Sequence, residues 1–391
     1  MDKNKKVLLH FSLISGIGSI AVLKLIKKLY DDFCKKHKNH HIQLQTLELN
    51  LEQFYFYKIK DFVQNFDLTE KQAKLLFDGL LDKSKLEKEI ELIDKYKISI
   101  FSLLDPEYPD CLKQIYMPPI ILYCKGLGLG SFEKNFAIVG ARKAGAYAEK
   151  IVKEIVPTLV NKNFTIVSGG ALGADSMAHK AALDSGGKTI VVLGSGLLDF
   201  YPKTNKELFK KIVAQNGTLV SPFPLLTPPD KGNFPARNRI IAGLSKACLV
   251  VQAAKKSGAL ITAKFALDEG RTVFAIPGSI FDELSLGCHE LINQGAKLVN
   301  STEDIFEDFG IKETLPVCDT VSGEASCEVW NEPYEKQTPA NTILNLLQQT
   351  CSLDELSFKT KLDLSHLQDL LFDLQLAEKV KQNINGFWER V

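Results

Sequence analysis

Apolar positions in the first hundred residues recur at helical spacing, at Ile20, Leu23 and Ile26 and again from Thr69 through Leu81, among many lysines. Side chains three and four apart share one face of a helix, so this spacing predicts a small helical domain over residues 1–100. Asp67 or Thr69 supplies the short side-chain oxygen that caps the second of these helices. From Phe136 the pattern changes to short β-branched runs, each followed by an amphipathic stretch: 136–139, 165–167, 189–193, 218–220, 249–252 and 272–276. Strands that are nearly apolar throughout and alternate with helices indicate a parallel sheet covered on both faces. Residues 101–310 are therefore expected to be a doubly wound α/β core. Residues 311–337 scatter Glu313, Asp319, Glu324, Glu328, Glu332 and Glu335 among Pro, Ser and Gly. With so little apolar surface to bury, they read as an acidic linker. Residues 338–391 offer three helical segments, 342–349, 352–359 and 365–375, and then Asn385-Gly386, a strong hairpin signal. Three helices and a hairpin predict a winged helix.

A chain of 391 residues is longer than one core usually fills, which fits this multi-domain reading. The formal net charge of +1 excludes a uniformly basic coat, so a nucleic-acid site has to come from local clustering of cations. The eight cysteines form no C-x-x-C pair and have no histidine at ligand spacing, which reads as reduced thiols in a cytoplasmic protein and gives no metal site. Met1 to Lys6 is charged, but Val7 to Ile14 is broken by His10 and Ser12 and no small-residue cleavage site follows, so no signal peptide is expected. The most apolar stretch, 189–198, is far shorter than the roughly 20 residues that span a bilayer, so no membrane association is expected.

The first predicted strand runs into Gly140, Ala141, Arg142 and Lys143. Carboxyl ends of strands are where open α/β sheets bind ligands, and helix-start amides with two cations suit a phosphate. A surface Arg-Lys pair beside an ordinary turn is the plainer reading. After the second strand comes Ser168, Gly169, Gly170, Ala171, Leu172, Gly173, Ala174, Asp175, a glycine-rich turn whose amides can approach a phosphate. It is neither G-x-G-x-x-G nor a Walker loop, so neither a dinucleotide nor a triphosphate is indicated. Asp175 is a candidate carboxylate or, more simply, a helix cap, and His179 one turn later either meets a ligand or packs. The most telling segment runs from Lys231 through Gly232, Asn233, Phe234, Pro235, Ala236, Arg237, Asn238 and Arg239. Arg237 and Arg239 cannot share one helix face, so if both serve one strand of nucleic acid the first lies in the turn before the helix, with Phe234 ahead of it in an extended loop. An aromatic among cations suits sequence-tolerant single-strand binding, because bases stack on the ring while guanidinium groups hold phosphates. The alternative is a core phenylalanine with solvated arginines. Ser257-Gly258 offers one more phosphate-facing turn. Ser15 to Gly18 resembles the glycine turn of a helix-hairpin-helix module, although a packing turn explains it as simply.

Together these segments resemble the DprA/Smf family of DNA-processing proteins. The strings I-V-G-A-R (138–142), S-G-G-A-L-G-A-D (168–175), F-P-A-R-N-R-I-I-A-G-L (234–244), S-G-A-L-I-T-A (257–263) and A-I-P-G (275–278) follow that family's order across roughly residues 105–305. The resemblance implies a sterile-alpha-motif-like amino-terminal domain, a Rossmann-like core that dimerises and binds single-stranded DNA, and hand-over of that DNA to a RecA-type recombinase in natural transformation and recombination. It also implies that Arg142 holds a phosphate, that Lys231 and Phe234 contact backbone and base, and that Arg237 and Arg239 line the pocket. No catalytic residue, metal or cofactor is expected. The chain departs from the pattern with Ala141, with Pro222 and Gln252 where carboxylates are usual, and with His289 where asparagine is usual. A phosphoribohydrolase on a related Rossmann-like fold is the competing reading. Its P-G-G-x-G-T-x-x-E string stops here at Pro277, Gly278, Ser279, Ile280, and no pair of carboxylates for acid and base work is evident. In the terminal domain the helix over 365–375 has Asp369 and Asp373 but no Arg or Lys, which argues against major-groove reading.

Overall fold

The computed structural model describes residues 1–37, 50–311, 343–344, 346–347, 351–360, 362, 364–377, 379–383 and 387–390. It divides into two compact units, Met1–Leu315 and Pro316–Val391. The first unit opens with helices α1 (Lys3–Leu13), α2 (Ser19–His37), α3 (Ile59–Phe66), α4 (Glu70–Leu81) and α5 (Ser84–Tyr96). Thr69 caps α4 reciprocally: its hydroxyl accepts from the Gln72 amide at 3.3 Å, and the Gln72 side chain accepts from the Thr69 amide at 3.1 Å. Asp67 instead adopts φ 49° and ends α3.

A nine-stranded sheet follows, interleaved with helices: β1 (Ser99–Ser102), α6 (Asp110–Lys113), β2 (Ile121–Gly126), β3 (Asn135–Val139), α7 (Ala146–Asn161), β4 (Thr165–Ser168), α8 (Ala174–Asp184), β5 (Thr189–Val192), α9 (Lys206–Ala214) and β6 (Thr218–Ser221). The chain continues through α10 (Asn233–Leu244), β7 (Ala247–Val250), α11 (Gly258–Asp268), β8 (Thr272–Ala275), α12 (Leu286–Asn293), β9 (Lys297–Leu298) and α13 (Thr302–Asp308). The spatial order is β1-β2-β6-β5-β4-β3-β7-β8-β9. All six expected strands are present, and they pair parallel from β6 through β8. Strands β1, β2 and β9 are additions; β1 and β9 form the two edges, and β2 is antiparallel to both β1 and β6.

The six expected strands are nearly apolar throughout because each face meets a different core. In β3, Ala137 and Val139 pack into one hydrophobic cluster, while Phe136 and Ile138 pack into another with Phe164 and Phe274. The first cluster also takes in Leu8, Leu9, Phe54 and Phe62 of the amino-terminal helices with Ile121 and Leu122 of β2, so helices and sheet share one core. A buried polar tie reinforces it, since the Leu225 amide donates to the Glu89 carboxylate at 2.7 Å.

The chain winds outward from β3 to β6, then returns to β7 on the other side of β3. The helices after β3 and β7 depart in opposite directions, which opens a crevice at the carboxyl ends of these two strands. Among the described residues, no helix is long and apolar enough to cross a membrane.

The second unit holds helices Leu353–Thr360 and Leu364–Leu376 and an antiparallel hairpin of Val380–Gln382 with Trp388–Arg390. Its core includes Ile343, Leu347, Leu356, Leu371 and Val380. Half of the expected helix over 342–349, the Asn385-Gly386 turn and all of the acidic linker after Ile311 lie outside the described residues.

Candidate nucleic-acid interface

The crevice holds a cavity of about 620 Å³ between the β3–α7 turn, the start of α10 and the start of α11. Gly140, Ala141, Arg142 and Lys143 form one wall. The backbone carbonyl of Gln252 accepts from the Ala141 amide at 2.7 Å, and the Gln252 side-chain oxygen accepts from the Gly145 amide at 3.2 Å. The same side chain donates through Nε2 to the Asp282 carboxylate at 3.2 Å. A neutral amide is the group that can serve both partners, so Gln252 fastens the turn to the loop after β8. Arg142 and Lys143 are exposed, and no carboxylate among the described residues lies in salt-bridge range of either or of the exposed Lys231.

The glycine-rich loop after β4 has a different part from the phosphate-facing one expected of it. Ser168 is fully buried and donates to the Ile138 carbonyl at 2.6 Å. The Gly169 and Ala171 amides donate to Asp175 Oδ2 at 3.2 and 3.3 Å. Those amides are therefore taken, and Asp175 faces back to the loop instead of capping its own helix. Ser168, Gly169 and Gly170 are all buried and none lines the crevice cavity. A side chain at Gly169 would run into the Arg237 guanidinium. The loop is a socket for an arginine.

That arginine comes from α10, which begins at Asn233, so Phe234, Arg237 and Arg239 are all helical and the expected extended loop is absent. Pro235 fits because the first turn of a helix leaves its amides unpaired anyway. Arg237, 5% exposed, donates through Nη1 to the carbonyls of Gly169 and Val192, the latter at 2.6 Å, and through Nε to Asn238 Oδ1 at 3.0 Å. Burial pulls its pKa down to about 10, Arg142 adds to that, and Asp175 opposes it. It remains a cation at neutral pH. Arg239 faces elsewhere, its guanidinium 5.3 Å from the Tyr116 ring and 4.8 Å from that of Phe265. Two residues apart on a helix, the arginines diverge by about half a turn, and they do not line one pocket.

Phe234 is half-buried. Its ring centroid lies 5.4 Å from the Arg142 guanidinium and 5.7 Å from that of Arg237, with Tyr201 edge-on at 6.1 Å. Close approach of the backbone at Gly194 makes room for the ring, since a Cβ there would sit 2.8 Å from it. Lys231, Asn238, Ser257 and Gly258 complete the cavity rim, while Asn233 is half-buried beside it. Ser257 caps α11 by accepting the Ala259 amide at 3.2 Å, and Asn238 Nδ2 donates to the Gly258 carbonyl at 3.3 Å, tying α10 to α11. Asp175 is the one carboxylate among the described residues that line the cavity. Sequence reasoning passed over Lys255 and Lys256, which are exposed between β7 and α11. The signal was present as two cations at the carboxyl end of a strand.

His179 packs beneath this site, fully buried. The Thr189 hydroxyl donates to the Ile166 carbonyl at 2.7 Å, so it accepts from His179 Nδ1 at 2.7 Å. Nε2 therefore carries a lone pair and no proton. Burial, helped by the Arg237 charge, drives the pKa to about 3. Below the ordinary histidine value of about 6.5 the unfolded chain takes up a proton that the folded one refuses, so stability falls as pH falls from about 6.5 toward 3. In urea unfolding at a series of pH values, His179→Gln should lower that slope by one proton, about 1.4 kcal/mol per pH unit. An unchanged slope would show that His179 protonates freely in the fold.

Comparison with known proteins gives concordant matches. Residues 99–310 fit the family model described as DNA recombination-mediator protein A. The DNA processing protein DprA of Streptococcus pneumoniae is 46% identical over 230 residues, which cover 59% of this chain and 79% of that protein. Its counterpart in Bacillus subtilis is 42% identical over 225 residues, covering 57% and 75%. The X-ray structure of DNA processing protein A from Streptococcus pneumoniae superposes with a TM-score of 0.62 at 35% identity, over 79% of this chain and 99% of that one.

Proposed function

Because the chain belongs to the DNA recombination-mediator protein A family, we propose that it binds single-stranded DNA along the crevice at the carboxyl ends of β3 and β7 and delivers it to a RecA-type recombinase. The observation that carries this reading is the Phe234 ring, 5.4 Å from the Arg142 guanidinium and 5.7 Å from that of Arg237, on a cavity also lined by Lys143 and Lys231. Bases of any sequence stack on an aromatic face, while cations follow the backbone. In this reading Arg142, Lys143 and Lys231 hold phosphates, with Lys255 and Lys256 extending the track. Phe234 meets a base, and Arg237 acts from behind by holding α10 to the loops after β4 and β5. The site is concave and presents no free helix to a major groove, which favours single strands over duplex. The single carboxylate among the described residues that line the cavity, already accepting two amides, suits binding better than glycosidic cleavage by a carboxylate pair. Assembly as a homodimer, a cytoplasmic setting, roles in natural transformation, and a winged-helix terminal domain belong to the same proposal. It calls for no cofactor.

The test is binding of labelled single and double strands across a salt series. Each neutralised phosphate contributes about −0.7 to the log-log salt slope on single strands, so Arg142→Ala should weaken binding and make the slope shallower by about 0.7. Equal affinity for single and double strands at physiological salt would overturn the reading.

A further inference from the structure

We propose that the loop between β8 and α12 carries a second base-stacking platform, Phe281, for the strand that occupies the crevice, an inference resting on the single-strand reading above. Phe281 is 91% exposed and Ile280 beside it 71%. Two neighbouring large apolar groups bare at a loop tip mark a contact surface more than scattered single ones do.

The tip is held out by a fastened loop. Asp282 Oδ2 accepts from Ser285 Oγ at 2.9 Å and from Gln252 Nε2 at 3.2 Å, and its Oδ1 accepts from the Leu284 amide at 3.0 Å. The Phe281 amide donates to Ser279 Oγ at 3.2 Å. Tyr147 donates its hydroxyl proton to the Pro277 carbonyl at 2.6 Å, and His289 Nε2 donates to the Gly278 carbonyl at 3.1 Å. A loop anchored at both ends and in its middle presents its apolar side chains at little further entropy loss on binding.

Position and charge select nucleic acid as the occupant. Strands β3, β7 and β8 are parallel neighbours, so the turns that follow them open on the same edge of the sheet. At about 4.8 Å between strands, the loop after β8 starts roughly 10 Å from the Arg142 turn, about three base steps of ~3.4 Å. Leu284 of this loop lines the same cavity as Phe234. Between the two aromatics, at the end of β7, stand the exposed Lys255 and Lys256. Cations interposed between aromatics match a polyanion with stacked bases, whereas an apolar protein partner would leave those charges uncompensated.

Fluorescence anisotropy with labelled oligothymidylates of about 4 and about 16 nucleotides, within the range of single-strand sites, tests the assignment. Phe281→Ala should weaken the longer oligonucleotide by roughly tenfold and leave the shorter one within about twofold, with unchanged melting because the side chain is solvated. Phe281→Trp should keep the affinity, with tryptophan emission quenched by the longer strand. Wild-type affinity of Phe281→Ala for the longer strand, where Arg142→Ala loses it, would overturn the second platform alone. So would conversion of a dimer to a monomer at unchanged affinity, which would give the tip to a second copy of the chain. If the wild-type protein binds neither oligonucleotide, the single-strand reading falls and takes this inference with it.

Discussion

Arg237→Ala is expected to destabilise the fold by about 3–5 kcal/mol, the range for breaking a buried charge network by removing one partner. The mutant leaves the carbonyls of Gly169 and Val192 without their donor and the buried Asp175 without its neighbouring cation. Burial already holds the Asp175 carboxyl above the usual range, and the Arg237 charge is the first influence opposing that. Without the arginine the carboxyl rises further. A carboxyl raised in the folded state is penalised in its ionised form, so the penalty is fully present at high pH and fades as pH falls through the raised value. The stability deficit of Arg237→Ala, measured by urea unfolding, should therefore be largest at neutral and alkaline pH and smaller in acid. Asp175→Asn placed in the same mutant should abolish that pH dependence, because its side-chain oxygen can still accept from the Gly169 and Ala171 amides. A mutant that unfolds like wild type would show that Arg237 is a surface cation after all.

Phe234→Ala should weaken single-strand binding by tenfold or more, since base stacking on an aromatic is worth about 1–3 kcal/mol and tenfold corresponds to about 1.4. The ring is half-buried against Tyr201 and the backbone at Gly194, so some stability goes with it. Full burial of a phenylalanine makes its truncation cost about 3–5 kcal/mol, and a half-buried ring should cost roughly half that. Phe234→Trp should retain binding, because a ring face is what the base requires. Melting curves and anisotropy titrations on the same preparations separate the two contributions. A variant that melts far earlier yet binds DNA normally, where folded, would move Phe234 out of the interface.

The sequence by itself determined the class of architecture. Runs apolar at nearly every position pointed to strands with both faces covered, and their alternation with amphipathic stretches to parallel pairing, as β3 with its neighbours β4 and β7 shows. A cap at Asp67 or Thr69 was legible too, because capping is a contact over three residues, and the structure gives it to Thr69. So was the clustering of cations after the first strand, where topology places ligands. The edge strands were not legible, since β1 and β9 are short and partly exposed and lack the fully apolar signature. Neither was the division of labour within the site. Arg142 and Arg237 look alike as letters, yet one is exposed on the cavity wall and the other is buried among carbonyls 45 and 68 residues distant in the chain. The glycine-rich loop reads as a phosphate cradle until those contacts show that Gly169 is small to admit a guanidinium. Local periodicity reports how a segment is buried on average. Which polar group ends up inside, and which partner offsets its desolvation, is fixed by contacts that exist only once distant segments have met.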